Sequence, residues 1–323
     1  MSGGGGTVRN RRVVVAGGSG FIGRYIVKRL AERGAVVVAV SRHAGEALFL
    51  KPFGDVGQVA LIDADLNDER ALAPAIAGAE GVICSVGILH ERGRQRFEAV
   101  HQRGPALLAR LAAAAGARHF VQVSAIGADA AAPAAYARSK AAGEAAVKAA
   151  FPSATILRPS LVFGPEDEFF NRFGAMACLL PALPLIGGGA TRFQPVYVGD
   201  VADAALAALE RPEAPGKIYE LGGPKVYSFR GLMELLLREI GRKRALVNLP
   251  YGLASFEARF LECLPNPPLT RDQVKLLQRD TVVSPGSPGL TELGIAPTAL
   301  ELVLPTYLDR FRRGSRVGHR PAA

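Results

Sequence analysis

The chain has no tryptophan, and only three cysteines among its 323 residues. Cys84, Cys178 and Cys263 lie far apart and form no C-x-x-C pair, which argues against a disulfide framework or a zinc site and for free thiols in a reducing compartment. The five histidines show no ligand spacing. No apolar run reaches the roughly 18 residues that a membrane-spanning helix needs. The opening Met-Ser-Gly-Gly-Gly-Gly has no apolar core of the signal-peptide kind, so export is not expected, and it is too short and glycine-rich for a transit peptide. The net charge of +10 favours anionic partners: phosphates, acidic proteins or acidic lipid heads. No nucleic-acid module and no basic patch interleaved with aromatics is present, so nucleic acid is not an expected partner.

Hydrophobic residues make up 49% and charged residues 21%, an ordinary globular balance, and the length suffices for a large core. Short β-branched runs alternate with Ala-, Leu- and Arg-rich stretches. The runs are Val13–Ala16, Val36–Val40, Val59–Ile62, Val82–Ser85, Phe120–Ser124 and Thr155–Arg158; the stretches include Gly104–Ala115 and Ser139–Ala150. This alternation predicts an α/β fold, a doubly wound parallel sheet of Rossmann type. After about Pro159 proline and glycine become frequent, and a smaller C-terminal α/β cap is expected. The organisation reads as a flexible leader (1–11), a dinucleotide-binding core (12–160), a cap or interaction region interleaved with the core (161–309) and a basic tail (310–323). Asp200 is expected to N-cap a helix from Val201, and Thr270 with Gln273, and Thr298 with Glu301, read as capping boxes.

Val13–Ala16 is followed at once by Gly17-Gly18-Ser19-Gly20-Phe21-Ile22-Gly23 and then a helical stretch. In such a loop Gly17 permits the sharp turn, Gly20 lets the backbone approach a pyrophosphate, and Gly23 lets helix and strand pack closely. The phosphates sit at the helix N-terminus, where free N–H groups and the dipole favour anions, and Ser19, Phe21 and Ile22 complete the candidate loop. The second strand ends Ser41-Arg42 where an NAD-selective site carries an acid. Donors and positive charge there suit the 2′-phosphate of NADPH, and Arg24 in the first helical turn is placed to assist. Asp65-Leu66 follows the third strand, where a carboxylate can accept from an adenine amino group; Asp63 competes for that role. Ser85-Val86-Gly87 follows the fourth strand and lets the backbone pass beneath the adenine ribose.

The glycine loop, Asp65-Leu66 and Tyr136-Ala-Arg-Ser-Lys140 together resemble the extended or atypical short-chain dehydrogenase/reductase family, over roughly residues 12–310. The resemblance implies that Tyr136 is a general acid/base and that Lys140 lowers its pKa and holds the nicotinamide ribose; the i, i+4 spacing puts both on one helical face. In that alignment Ile126 occupies the position of the substrate-orienting hydroxyl, and Ser124 lies two residues early, lining the cofactor. Tyr136 and Lys140 then read as a ribose clamp retained without turnover. Pro159 and Phe163, after the sixth strand, complete the candidate cofactor contacts.

Three downstream blocks are distinctive: Leu157–Phe173, Leu183–Val201 and Thr270–Leu277. They are similar to the dehydrogenase-like accessory subunits of respiratory complex I, NADH:ubiquinone oxidoreductase. That resemblance implies a firmly bound NADPH outside the electron-transfer chain, with other complex I subunits as partners. It also implies a peripheral place near the quinone site, on the cytoplasmic face of a bacterial inner membrane (the matrix side in a mitochondrion). The alternative reading is a free NADPH-dependent reductase or epimerase using Tyr136 and Lys140. The aromatics Phe169, Phe170 and Phe173 either line a pocket or form core. Glu166, Asp167 and Glu168 read as solvent-facing or interfacial. Leu253, Phe256, Phe260, Leu261 and Leu264 share one helical face that suits a partner helix, a bilayer interface or packing on its own domain. The tail arginines Arg310, Arg312, Arg313, Arg316 and Arg320 suit anionic lipid heads.

Overall fold

The computed structural model describes residues 7–264 and 267–312. β1 (Arg12–Ala16) turns through the glycine loop into α1 (Phe21–Glu32). β2 (Val36–Ser41), a 3-10 segment (Ala44–Phe53), β3 (Val59–Asp63), α2 (Glu69–Ile76) and β4 (Gly81–Cys84) follow. A π turn (Glu98–Arg103) runs directly into α3 (Gly104–Ala114). Then come β5 (His119–Val123), α4 (Ala135–Ala150) and β6 (Thr155–Pro159). From Ser160 the chain enters a second compact unit, with β7 (Val162–Phe163), α5 (Phe169–Leu179), β8 (Ala182–Ile186), β9 (Arg192–Phe193) and β10 (Val196–Tyr197). It returns to the first unit for α6 (Val198–Glu210) and β11 (Ile218–Leu221). The second unit resumes with β12 (Tyr227–Ser228), α7 (Phe229–Glu239), β13 (Ala245–Leu249), α8 (Tyr251–Leu261) and α9 (Arg271–Leu276), and ends with α10 (Leu300–Leu308).

The first unit is built on a seven-stranded sheet in the order β11-β6-β5-β4-β1-β2-β3. Every strand pair in it is parallel. The six strands read from β-branched runs are all present, each within a residue or so of the expected bounds. Except on the edge strand β3, their central residues are buried because helices cover both faces of a parallel sheet. α1 meets the sheet through Ile26, Val27, Leu30 and Ala31, at helical spacing. The strand order reverses between β1 and β4, which opens a crevice at their carboxyl ends.

The second unit has three two-stranded sheets, β7–β10, β8–β13 and β9–β12, around its own apolar core. Phe163, Phe170 and Phe229 are fully buried there, and Phe169 (tilted) and Phe173 (edge-on) pack against Phe229, so this aromatic region is core.

Near the start of the described residues Val8 is buried, its N–H donates to Glu210, and Asn10 N–H donates to the Gly34 carbonyl. Three expectations are corrected. Asp200 lies inside α6 rather than capping it, because β10 runs straight into the helix at Val198. The Thr270–Gln273 capping box is formed, whereas α10 starts after Ala299 and Glu301 accepts instead from Tyr227 and Lys225. Asp167 is buried rather than solvent-facing: its carboxylate accepts from the Gly164, Phe170 and Asn171 N–H groups and from the Tyr307 hydroxyl. Burial raises its pKa, and these bonds oppose the rise.

On α8 only the small residues Ala254 and Ala258 are buried, while Leu253, Phe256, Phe260 and Leu264 are exposed. The bland reading of that face, packing on its own domain, does not hold among the described residues. No helix among the described residues is long and apolar enough to cross a membrane. The glycines that open the leader, and Arg313, Arg316 and Arg320 of the tail, lie outside the described residues.

Candidate functional site

The glycine loop spans β1 and α1 at the strand-order reversal. Gly17 adopts φ +80°, a region that L side chains avoid, and a Cβ there would lie 2.9 Å from Val86 Cγ2. A Cβ on Gly23 would lie 2.0 Å from the Gly17 carbonyl oxygen, so α1 sits on the loop as closely as backbone permits. Gly18 is equally constrained, 2.8 Å from the Ala39 Cβ on β2. Around Gly20 a Cβ would meet only Gly17 O, at 3.3 Å, which leaves that side of the loop open to a ligand. Gly20 is also the N-cap of α1, with no side-chain cap and no acidic residue in the first turn. The helix therefore presents its N–H groups and positive dipole end without a resident anion of its own. Phe21 stands edge-on to Tyr25, and Ser19 and Gly20 accept from the Arg24 guanidinium through their carbonyls.

At the end of β2 the Ser41 hydroxyl is enclosed with no hydrogen-bond partner among the described residues, and Arg42 beside it is exposed. An enclosed hydroxyl without a partner beside an exposed cation is a place for an anionic or polar ligand group. Asp63 accepts from the Ala44 N–H and so ties the end of β3 to the start of the 3-10 segment, while Asp65 accepts from the Asn67 N–H and side chain and stabilises its own turn. Leu66 is buried against Gly104. The Ser85 hydroxyl donates to the Ala16 carbonyl at 2.9 Å and holds the β4 turn to the end of β1.

The opposite end of the crevice carries the tyrosine and lysine. α4 starts at Ala135, which places Tyr136 and Lys140 one turn apart. The Lys140 ammonium lies 5.8 Å above the Tyr136 ring and donates to the Val123 carbonyl at 3.5 Å. Burial pushes the Lys140 pKa down to about 8, against the pull of Cys84 and Glu144, and pushes Tyr136 up to about 12. Gly87 passes beneath: a Cβ there would lie 3.2 Å from Lys140 Nζ.

Two groups here escaped sequence reading. His101 is buried in the π turn, stacked on Phe97 and edge-on to Tyr136. Its Nε2 accepts from the Ile88 N–H at 3.0 Å, so the proton sits on Nδ1 and is donated to Ser139 Oγ at 2.8 Å. Ser139 in turn donates to the Tyr136 carbonyl. A π turn has no signature in residue periodicity, and this one delivers His101 only because α4 carries Gly143 where a Cβ would collide with the His101 carbonyl. The second group is a buried ionic chain. Ser124 donates to Glu144 at 2.5 Å, and Glu144 holds Arg158 through both oxygens, at 2.9 and 2.6 Å. Glu220 lies 3.9 Å from Arg158.

The candidates thus divide. Gly17, Ser19, Gly20, Phe21, Ile22, Gly23, Ser41, Arg42, Asp65, Leu66, Ser85, Val86, Gly87, Tyr136 and Lys140 belong to the loops and first turns at the carboxyl ends of β1 to β5. The Ser124 hydroxyl is turned to Glu144, Pro159 is buried and its carbonyl accepts from the Ile126 N–H, and Phe163 is enclosed in the second unit's core. No cluster of metal-ligating side chains occurs among the described residues. The residues present fit a dinucleotide. Such a group, when bound, supplies hydride chemistry at its nicotinamide.

Residues 13–222 match the NAD dependent epimerase/dehydratase family. The chain is 36% identical, over 97% of its length and 81% of the relative's, to the Arabidopsis thaliana protein NADH dehydrogenase (ubiquinone) 1 alpha subcomplex subunit 9, mitochondrial. The Rattus norvegicus protein of that name is 34% identical, over 92% of this chain and 80% of its own. A Caulobacter vibrioides protein named ceramide reductase is 35% identical over 74% of this chain and 73% of its own. Among solved structures, the dTDP-glucose 4,6-dehydratase DesIV from Streptomyces venezuelae, with NAD and TYD bound, superposes with a TM-score of 0.70. It is 20% identical, over 93% of this chain and 96% of that one, which shows a shared fold. The chain belongs to the NAD dependent epimerase/dehydratase family, in the branch that includes the subunit 9 proteins of mitochondrial NADH dehydrogenase.

Proposed function

We propose that this chain is an accessory subunit of a respiratory NADH:ubiquinone oxidoreductase that holds NADPH as a structural group rather than turning it over. The observation that carries the reading is the Ser124–Glu144–Arg158 chain. The glycine loop and the Tyr136–Lys140 pair support a socket for the dinucleotide, while the one hydroxyl at the end of β5 is spent inside the fold, and the family resemblance puts Ile126 at the position of the substrate-orienting hydroxyl. Gly17, Gly20 and Gly23 receive the pyrophosphate, Ser41, Arg42 and Arg24 the 2′-phosphate, and Lys140 and Tyr136 the nicotinamide ribose. Bound NADPH stabilises the folded chain by mass action and so links the subunit's integrity to the nucleotide supply.

The similarity to mitochondrial subunits supports other subunits of that complex as partners. The exposed stripe Leu253, Phe256, Phe260 and Leu264, together with the net charge of +10, supports a peripheral site against anionic lipid, on the cytoplasmic face of a bacterial inner membrane. Deleting the gene tests the reading: the account expects less assembled NADH:ubiquinone oxidoreductase in the membrane. An unchanged amount, composition and activity would overturn it.

A second reading rests on the intact Tyr136–Lys140 pair and on the relative named a ceramide reductase. In it the chain is a free NADPH-dependent reductase of an apolar substrate, with Tyr136 delivering the proton. NADPH oxidation by the purified chain with long-chain carbonyl substrates, abolished in Tyr136→Phe, would favour that reading over the first.

A further inference from the structure

Arg24 is the one basic residue in the first turn of α1, where the helix dipole disfavours a cation and which holds no acidic residue. It is nevertheless held in place. Its guanidinium donates to the Ser19 and Gly20 carbonyls, at 3.3 and 3.4 Å, and lies 4.8 Å from the centre of the Phe49 ring. Phe49 comes from the 3-10 segment between β2 and β3. One turn along, Lys28 of α1 lies over Phe53 of the same segment, at 6.0 Å, so two cation–π contacts at i, i+4 spacing clamp this segment to the helix. Phe49 remains 41% exposed, which is more than packing the sheet requires. The segment starts directly after Ser41, Arg42 and His43, so it joins the orphaned Ser41 hydroxyl to the helix that carries Arg24.

We propose that Phe49 is a specificity-determining positioning residue: its ring holds the Arg24 guanidinium at the lip of the glycine loop, where that guanidinium reads the 2′-phosphate of NADPH. This rests on the NADPH reading above. The phosphate supplies the anion that the first turn of α1 lacks, and Phe49 fixes in advance a long side chain that would otherwise lose rotamer freedom on binding. NADH, without the 2′-phosphate, gains nothing from the arrangement.

The test is fluorescence titration of the full chain with NADPH and with NADH, for the wild type, Phe49→Leu, Phe49→Tyr, Arg24→Ala and the double variant Arg24→Ala/Phe49→Leu. The wild type prefers NADPH. Phe49→Leu weakens NADPH binding about three- to ten-fold, the size of a partly exposed cation–π contact, and leaves NADH unchanged. Phe49→Tyr keeps the preference, and the double variant is no weaker than Arg24→Ala. The proposal is overturned if Phe49→Leu weakens both nucleotides equally or neither, or if Arg24→Ala keeps the preference. A wild type that binds both nucleotides equally would instead overturn the NADPH reading itself, and this inference with it.

Discussion

Ser124 and His101 show how single side chains set the character of the site. Glu144 accepts from Ser124 and from Arg158 at once, and Arg158 is only partly reached by water. Removing the carboxylate leaves a half-buried guanidinium with only the more distant Glu220, 3.9 Å away, so Glu144→Ala is expected to cost about 3 kcal/mol of stability by urea denaturation. Ser124→Ala removes one hydrogen bond from a carboxylate that keeps its arginine, and should cost about 1 kcal/mol. His101 carries a pH signature. Burial, with the Lys140 charge nearby, pushes its pKa down to about 3. Below the ordinary value of about 6.5 the unfolded chain takes up a proton that the folded chain refuses, so this contribution to stability is lost as pH falls from about 6.5 towards 3. Between pH 7 and pH 5 the stability advantage of the wild type over His101→Gln should shrink by about 2 kcal/mol. A constant gap in urea denaturation at the two pH values would contradict the placement of the neutral imidazole.

At the scale of elements, the close seating of α1 on the glycine loop makes a sharp prediction. Gly23→Ala places a methyl 2.0 Å from the Gly17 carbonyl oxygen and is expected to abolish nucleotide binding and lower the Tm. Gly45→Ala, with nothing within 4 Å, serves as its control and should change stability by no more than about 0.5 kcal/mol. The six strands from β1 to β6, the glycine loop and the Tyr136–Lys140 spacing were legible in the sequence because each rests on local periodicity or on a backbone need that only glycine meets. The π turn that delivers His101 was not legible, since it shifts the helical phase without changing composition. Asp167 misled for a related reason. Its two acidic neighbours, Glu166 and Glu168, are exposed, while the middle carboxylate points inward to backbone N–H groups and to the hydroxyl of Tyr307, 140 residues away. Thr298 carried the right pattern for a capping box, but Glu301 is held by Tyr227 and Lys225, two residues that no local window includes.

For the whole molecule, the interleaving of the two units means that the apolar residues after Ser160 build a second core, while the glycine loop, Ser41, Arg42 and the proposed ribose clamp belong to the first. Among the exposed apolar side chains is the α8 stripe, where Phe256 and Phe260 stand edge to face, each 61% exposed. Apolar surface of this kind, left open in the isolated chain, is expected to be covered in an assembly. Phe256→Ser with Phe260→Ser should leave the stability of the purified chain within about 0.5 kcal/mol, and should reduce its recovery with membranes. The central claim is that the chain is a nucleotide-loaded part of a larger respiratory assembly. Affinity purification of the tagged chain from membranes in mild detergent tests this directly, with the bound nucleotide and the co-eluting proteins identified in the same sample. The account predicts NADPH together with subunits of NADH:ubiquinone oxidoreductase. A chain that elutes alone, or that carries no NADPH, would contradict it.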